Sequence, residues 1–207
     1  MTETAGEWRF GLRRAVLGTD TGPVIGSGFA VLLAQARDRD EEAFARVYRD
    51  AQPALLRYLR VVAAESAEDV AAETWLQVVA GLARFSGGEL EFRAWLFTIA
   101  RHRAVDAGRA RERRPRTVPL ADSGADERLT APDTADVAQE RAATRATLVL
   151  LSALPRDQAE IIMLRVVAGL DTNAVARIVG KRPGAVRVAA HRALRRLAEV
   201  VDRAGVL

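Results

Sequence analysis

The chain has 207 residues, 49% of them hydrophobic and only 5% aromatic, so it is long enough for one domain or two small ones. It contains no cysteine, which excludes a disulfide framework, thiolate metal ligands and a cysteine nucleophile. No apolar run approaches the roughly 18 residues of a membrane span, and the basic N-terminus lacks the apolar core of a signal peptide. A cytoplasmic protein is therefore expected.

The formal net charge of +4 is unevenly distributed along the chain. Residues 101–116 hold seven arginines against two acids, whereas residues 117–139 hold five acids against one arginine. Basic blocks separated by an acidic block indicate a protein that binds a polyanion. Because alanine and arginine dominate and strand-like alternation is absent, the predicted fold class is all-α.

The N-terminal part is predicted to be a flexible extension followed by helices. Residues 1–28 are rich in glycine and form the extension, with a small docked motif around Trp8 as the alternative. Helical periodicity begins near Phe29. A further helix is expected to start at Pro53, because proline is favoured in the first turn of a helix.

The next predicted helix, residues 67–82, has two contrasting faces. One is a core stripe at helical spacing, formed by Ala71, Trp75, Val78, Val79 and Leu82. The opposite face carries Asp69, Glu73, Leu76 and Gln77. A leucine flanked by acids indicates a surface that binds a partner, with chance exposure as the alternative.

A flexible loop at residues 86–91 precedes a long helix over residues 92–113. This helix starts apolar, becomes basic from Arg101 onward and stops before Pro115. Core packing is favoured over base binding for both Trp75 and Trp95, and His102 is a surface residue or a phosphate contact. Residues 116–139 have the composition of a flexible acidic linker, and a helix over residues 140–152 follows.

The last quarter of the chain predicts a helix-turn-helix. Pro155 suits the first turn of one helix, Gly169 its left-handed end, and Asp171 the N-cap of the next. Gly180 ends that helix after about two turns, and Pro183 opens a third. Two short helices joined by a glycine-containing turn are typical of DNA-binding proteins whose later helix enters the major groove.

The final helix is amphipathic and basic. Its core stripe consists of Val186, Ala190, Ala193, Leu194, Leu197 and Val201. Residues 177–196 contain seven lysines and arginines and no acid, whereas a merely solvated face usually has acids interspersed. Val188 points away from the core stripe, so it is an ordinary exposed apolar residue or a contact for a thymine methyl group.

Three stretches in this order resemble the sigma-70 family, in its extracytoplasmic-function (ECF) group. Residues 68–76, EDVAAETWL, resemble the core-binding helix of the family. Residues 92–106, FRAWLFTIARHRAVD, resemble the long helix of sigma domain 2. Residues 154–196 resemble sigma domain 4. The resemblance implies a flexible extension at 1–28, domain 2 at 29–115, a linker at 116–139 and domain 4 at 140–207.

The resemblance implies a factor, not an enzyme, that joins core RNA polymerase and reads the −10 promoter element with domain 2 and the −35 element with domain 4. The expected polymerase-binding residues are Asp69, Ala72, Glu73, Leu76 and Gln77. The expected −10 residues are Ser86, Gly87, Gly88, Arg101, His102, Arg103, Arg109, Arg111, Arg113 and Arg114. The expected −35 residues are Lys181, Arg182, Gly184, Ala185, Arg187, Val188, His191, Arg192 and Arg195.

The expected partners are core polymerase, promoter DNA and a separate anti-sigma factor, without a cofactor, a metal or membrane insertion. No further C-terminal domain is expected to hold the factor inactive. Ala72 stands where the family usually has glutamine, His102 replaces asparagine, and Val188 with Ala189 replaces a frequent Ser-Arg pair. A DNA-binding regulator with a sensing N-terminal half and a nucleic-acid enzyme are the alternatives.

Overall fold

The computed structural model describes the backbone of residues 28–113 and 151–204, and the side chains of these residues up to residue 200. Every regular element in these two ranges is helical, which confirms the all-α prediction. The linker predicted at 116–139, and the extension predicted at 1–28 up to residue 27, lie outside the described residues. So does the helix predicted at 140–152, except for residues 151 and 152.

Four helices form the N-terminal domain. They are α1 (Phe29–Arg37), α2 (Glu41–Val62), α3 (Ala67–Leu82) and α4 (Glu89–Arg113), with a short 3-10 turn, Ala64–Ser66, between α2 and α3. The side chains that fill the core between them include Leu55, Tyr58, Leu59, Phe92, Leu96 and Phe97. Tyr58 and Phe97 meet edge to face with ring centroids 5.3 Å apart, a geometry that aromatic pairs favour.

The expectation that a new helix starts at Pro53 is wrong, because α2 continues through that residue. Proline lacks one backbone donor, which normally weakens a helix interior. Buried Val47, Ala51, Leu55 and Tyr58 share one face across the proline, and burial of this continuous stripe favours the unbroken helix.

Helix α4 begins earlier than the sequence predicts, at Glu89, and the preceding loop is correspondingly shorter. The Glu91 carboxylate accepts a hydrogen bond of 2.9 Å from the backbone N–H of Gly88. A carboxylate in the first helical turn satisfies a free donor and also interacts favourably with the helix dipole.

The C-terminal domain is the predicted helix-turn-helix, with α5 (Arg156–Val166), α6 (Thr172–Val179) and α7 (Pro183–Ala204). Gly169 and Gly180 both have φ of +66°, the left-handed conformation expected at these helix ends. The Asp171 side chain caps α6 by accepting a hydrogen bond of 2.7 Å from the backbone N–H of Ala174. Helix α6 therefore begins after Asp171 and ends before Gly180, and α7 begins at Pro183, as the sequence predicts. Helix α5 ends earlier than predicted, at Val166, and Gly169 lies in the turn that follows it.

The two domains lie against each other. Helix α2 packs on α5, and α4 packs on α6, so the helix-turn-helix covers part of the N-terminal domain. Across the described residues, none of the helices is both long enough and apolar enough to cross a membrane.

Candidate polymerase-binding face and nucleic-acid interfaces

One face of α3 is an exposed apolar ridge between polar residues. Leu76 is 72% exposed and Val79 is 55% exposed, which are large values for residues of this type. The polar residues predicted beside Leu76 are exposed as expected, and so is Ala72. We call this surface, formed by Asp69, Ala72, Glu73, Leu76, Gln77 and Val79, the α3 ridge.

The expectation that Val79 lies in the core stripe of α3 is wrong. The buried stripe runs through Ala71, Trp75, Val78 and Leu82, at intervals of three and four residues. Val79 is one position beyond this stripe and instead shares the exposed face with Leu76. The signal was available in the sequence, because residues 72, 76 and 79 have the spacing of a second helical face.

The expectation that both tryptophans pack in the core agrees with their surroundings. Trp75 lies 4.9 Å from the Tyr48 ring, between centroids, and its Nε1 donates a hydrogen bond of 2.6 Å to Gln52. Trp95 stacks on Phe85 with centroids 5.0 Å apart. A Cβ at Gly81 would lie 2.8 Å from the Trp95 ring, so the absence of a side chain there lets this ring approach α3.

The loop between α3 and α4 presents Ser86, Gly87 and Gly88 to solvent, as predicted. Three aromatic residues lie at the base of this loop. Phe85 and Trp95 are partly buried, and Phe92 is buried. The structure therefore places an accessible loop directly beside a cluster of three packed aromatic rings.

The arginines of α4 do not form one uniform surface. Arg101 pairs with Glu160 at 2.8 Å, Arg103 donates a hydrogen bond of 3.1 Å to Gln77, and Arg111 pairs with Glu65. His102, Arg109 and Arg113 instead share one exposed face at intervals of seven and four residues. Arg109 also lies 3.6 Å from the Asp106 carboxylate, an exposed pair of little energetic weight. Arg114 lies outside the described residues.

In the C-terminal domain all nine predicted −35 residues are exposed. Val186, Ala193 and Leu197 are buried on the other side of α7, as the predicted stripe requires. Val188 is 50% exposed. The predicted stripe member Val201 lies beyond the described side chains.

One residue of this surface is held by a neighbouring helix. Lys181 Nζ lies 2.8 Å from Asp157 Oδ2 at the start of α5, and this hydrogen bond lowers the pKa of Asp157. The contact fixes the turn before α7 against α5. The described residues contain no group of three or more His, Asp or Glu side chains that could hold a metal ion.

Comparison with known proteins agrees with this arrangement. Residues 42–114 match the family model of Sigma-70 region 2, and residues 144–197 match that of Sigma-70 region 4. The ECF RNA polymerase sigma factor SigD of Mycobacterium tuberculosis is 37% identical over 191 residues, covering 87% of either chain. ShbA of Streptomyces griseus, also an ECF RNA polymerase sigma factor, is 33% identical over 183 residues, covering 83% of this chain and 94% of its own.

Among solved structures, CnrH in complex with the cytosolic domain of CnrY is similar with a TM-score of 0.57 at 23% identity. The similarity covers 86% of this chain and 99% of that chain, and it supports the fold.

An exposed apolar ridge on one helical domain and a basic helix-turn-helix on the other are typical of a DNA-binding protein that also binds a protein partner. The chain belongs to the sigma-70 family of RNA polymerase sigma factors, in its ECF group. It therefore binds core RNA polymerase and promoter DNA and directs promoter-specific initiation of transcription.

Proposed function

We propose that the α3 ridge is the surface through which this sigma factor binds core polymerase. The carrying observation is that Leu76 and Val79 are exposed on a face of α3 that also carries the exposed acids Asp69 and Glu73. Apolar side chains at the centre of a polar surface are the usual pattern of a protein interface. The two acids favour a partner surface that contains basic residues.

We further propose that residues 29–115 form the domain that reads the −10 element. The exposed loop at residues 86–88 and the face with His102, Arg109 and Arg113 lie on this domain. Melted promoter bases need a site that stacks or encloses them, and the strand needs positive charge along its phosphates. The loop beside the aromatic cluster meets the first need, and the arginine face meets the second.

Residues 140–207 are proposed to form the domain that reads the −35 duplex, with residues 116–139 as the connection. Helix α7 would enter the major groove with its N-terminal residues at the base edges. Arg187 and Val188 are exposed at that end of the helix, where they can reach bases. Lys181 and Arg182 lie in the preceding turn, a position suited to phosphate contacts.

Several further properties follow as proposals from membership of this family. The protein acts in the cytoplasm with RNA polymerase, without its own catalytic site, metal or cofactor. A separate anti-sigma protein is proposed as a regulator. The similar structure of CnrH was solved in complex with another protein, the cytosolic domain of CnrY.

The polymerase contact is tested with the double variant Asp69→Arg and Leu76→Arg. The variant should no longer co-purify with core polymerase and should lose run-off transcription, because a desolvated apolar contact and its flanking charge are both replaced by cations. Circular dichroism should remain that of the parent, since both residues are exposed.

The matched control is Val31→Arg, which adds a cation at another exposed apolar residue of the same domain, 62% exposed on α1. It should leave binding to core polymerase unchanged. Retention of polymerase by the double variant would contradict the assignment of the α3 ridge. Mapping of the transcription start sites made by the parent then identifies the promoters on which both domains act.

A further inference from the structure

The turn that leads into α7 contains two cations with different surroundings. Lys181 Nζ lies 2.8 Å from Oδ2 of Asp157, which belongs to the first turn of α5. The neighbouring Arg182 makes no ion pair or side-chain hydrogen bond with any residue that the structure describes. Only Arg182 can therefore bind a DNA phosphate without first losing a partner. We call Lys181 and Asp157 the turn pair.

The backbone of this turn is fixed at both of its ends. The N–H of Lys181 donates a hydrogen bond of 3.0 Å to the carbonyl of Ala176 in α6, and the carbonyl of Arg182 accepts one of 3.1 Å from Val186 in α7. Only residues 181 and 182 separate Gly180 from the first residue of α7. A small movement of the turn therefore changes the direction in which α7 begins.

The first turn of α7 has few other contacts with the rest of the domain. Among residues 183–188 only Val186 is buried. Among residues 180–188 of the described chain, Lys181 alone has a side chain that forms a hydrogen bond or an ion pair with another helix. The start of α7 is thus held in place by one buried side chain and by the turn pair.

The electrostatics of the turn pair agree with its geometry. The hydrogen bond from Lys181 lowers the pKa of Asp157, so the carboxylate keeps its charge at neutral pH. An ion pair between exposed side chains stabilises a fold only slightly. Its effect is therefore expected on the position of the turn and not on whether the domain folds.

The residue type at position 181 differs from that of the surrounding cations. Lysines and arginines together number 31 in this chain, and Lys181 is the only lysine. Arginine presents several donors in a planar fork, whereas the lysine ammonium is a compact point charge on a flexible stem. A point charge is sufficient for the contact with one carboxylate oxygen that the structure shows.

We propose that Lys181 and Asp157 are positioning residues for α7, whose ion pair sets the direction of the helix so that Arg187 and Val188 meet base edges, and that Lys181 does not contact a phosphate. This inference rests on the proposed role of α7 in reading the −35 duplex. Hydrogen bonds to bases weaken steeply when their geometry changes, whereas attraction between charges falls only gradually with distance. The turn pair therefore contributes to sequence preference and not to the number of phosphate contacts.

Sequence preference is measured with holoenzyme assembled from core polymerase and the full-length factor, on a promoter obtained by start-site mapping. The specificity ratio is the affinity for this promoter divided by that for the same promoter with a scrambled −35 element. Lys181→Met should lower the ratio about 2- to 5-fold, the range that an exposed ion pair allows. The log–log salt dependence of binding should stay unchanged. An unchanged ratio, or a slope reduced by about 0.9 as the loss of one phosphate contact produces, overturns the proposal.

The carboxylate partner provides the second arm of the test. Asp157→Asn keeps the size of the side chain and removes the charge that Lys181 binds. It should lower the specificity ratio as Lys181→Met does. The double variant should be no worse than either single variant, because both remove the same contact. An unchanged or raised ratio in Asp157→Asn, or additive losses in the double variant, overturns the role of the pair.

Two further variants of the turn are matched controls. Lys181→Arg keeps a cation opposite Asp157 and should retain the parental specificity ratio. Arg182→Ala removes the neighbouring cation and should reduce the slope by up to about 0.9 while the ratio stays unchanged. If Lys181→Met and Arg182→Ala give the same pattern, the two cations have the same role and the proposal is wrong.

The turn pair is also measured without DNA. The pKa of the Asp157 carboxyl, followed by NMR in the free full-length protein, should rise toward its ordinary value in Lys181→Met. An unchanged pKa overturns the pair. If the parental holoenzyme does not distinguish the two promoters, the proposed −35 role of α7 fails, whereas the pKa of Asp157 still reports whether the pair forms.

Discussion

At the scale of single residues, Asp171 has a well-defined structural role. Its carboxylate accepts the hydrogen bond from Ala174 at the start of α6, and this bond lowers the pKa of Asp171. Asp171→Ala leaves a helix N-terminus without this acceptor. It should lower the free energy of unfolding by about 1 kcal/mol, measured by urea denaturation.

The control is Asp171→Asn, which keeps a side-chain acceptor at the N-cap and should cost far less. A lowered pKa in the folded state means that the carboxylate stabilises the fold above its unfolded pKa and less as pH falls through the folded value. The difference between parent and Asp171→Asn should therefore shrink in acid, below about pH 4. Equal destabilisation by alanine and asparagine would contradict the capping role.

Residues of the recognition helix are expected to give two different mutant effects. Arg187→Ala should weaken binding to the correct −35 element by about 1–3 kcal/mol and relax the sequence preference at one base pair. The reason is that a residue of the recognition helix contacts base edges. Arg182→Ala should weaken binding to all duplexes alike, because a turn residue meets phosphates. Selection from randomised −35 sequences separates the two outcomes. If both variants return the parental consensus, Arg187 does not read bases.

At the scale of whole helices, α4 combines a buried apolar half with a basic half. The arginines of the basic half differ in how accessible they are to DNA phosphates. Arg109→Ala with Arg113→Ala should reduce the salt dependence of promoter binding by the holoenzyme, by up to about one unit of log–log slope per lost phosphate contact. These two residues share the exposed face with His102.

Arg111→Ala serves as the comparison on the same helix, because Arg111 pairs with Glu65. Arg111→Ala should change the log–log salt dependence of promoter binding less than the loss of Arg109 or Arg113 does. If all three positions contribute equally, the intramolecular pair is too weak to remove Arg111 from the DNA-binding surface.

Element boundaries were predictable wherever local chemistry decides them. Asp171 and Gly180 define the two ends of α6 through capping and backbone conformation, so the bounds of α6 follow from the sequence. Pro53 misled the prediction, because the packing of a continuous stripe outweighs one missing donor. Val79 misled it as well, although its spacing from Ala72 and Leu76 already places it on the exposed face of α3.

At the scale of the whole molecule, the division into two helical domains could be predicted from sequence patterns, but their docking could not. Glu160 accepts hydrogen bonds from the Tyr58 hydroxyl and from Nε of Arg101, which are 102 and 59 residues away in the sequence. Nothing in the periodicity of α5 distinguishes this glutamate from an ordinary solvated acid. Its partners are determined by tertiary packing, which no local pattern encodes.

The docking should also respond to alkaline pH. Burial, and secondarily the adjacent Glu160 carboxylate, raise the pKa of Tyr58 well above its usual value, while Arg101 opposes this rise. The part of this rise that comes from Glu160, which lies on the other domain, means that docking is favoured while the hydroxyl keeps its proton. The contribution is complete below the pKa of the undocked tyrosine and is lost as pH rises through the docked value.

The contact between the domains should therefore hold from pH 7 to 9 and weaken only at more alkaline pH. The measurement is the distance between spin labels attached to Gln35→Cys on α1 and Asn173→Cys on α6. Few other side chains titrate at alkaline pH, because Lys181 is the only lysine of the chain and Tyr48 its only other tyrosine. Lys181→Arg removes the lysine titration without removing the charge. In that background Tyr58→Phe should abolish the alkaline opening, since phenylalanine has no proton to lose. Opening that persists in the Tyr58→Phe protein would assign the pH response to a group other than Tyr58.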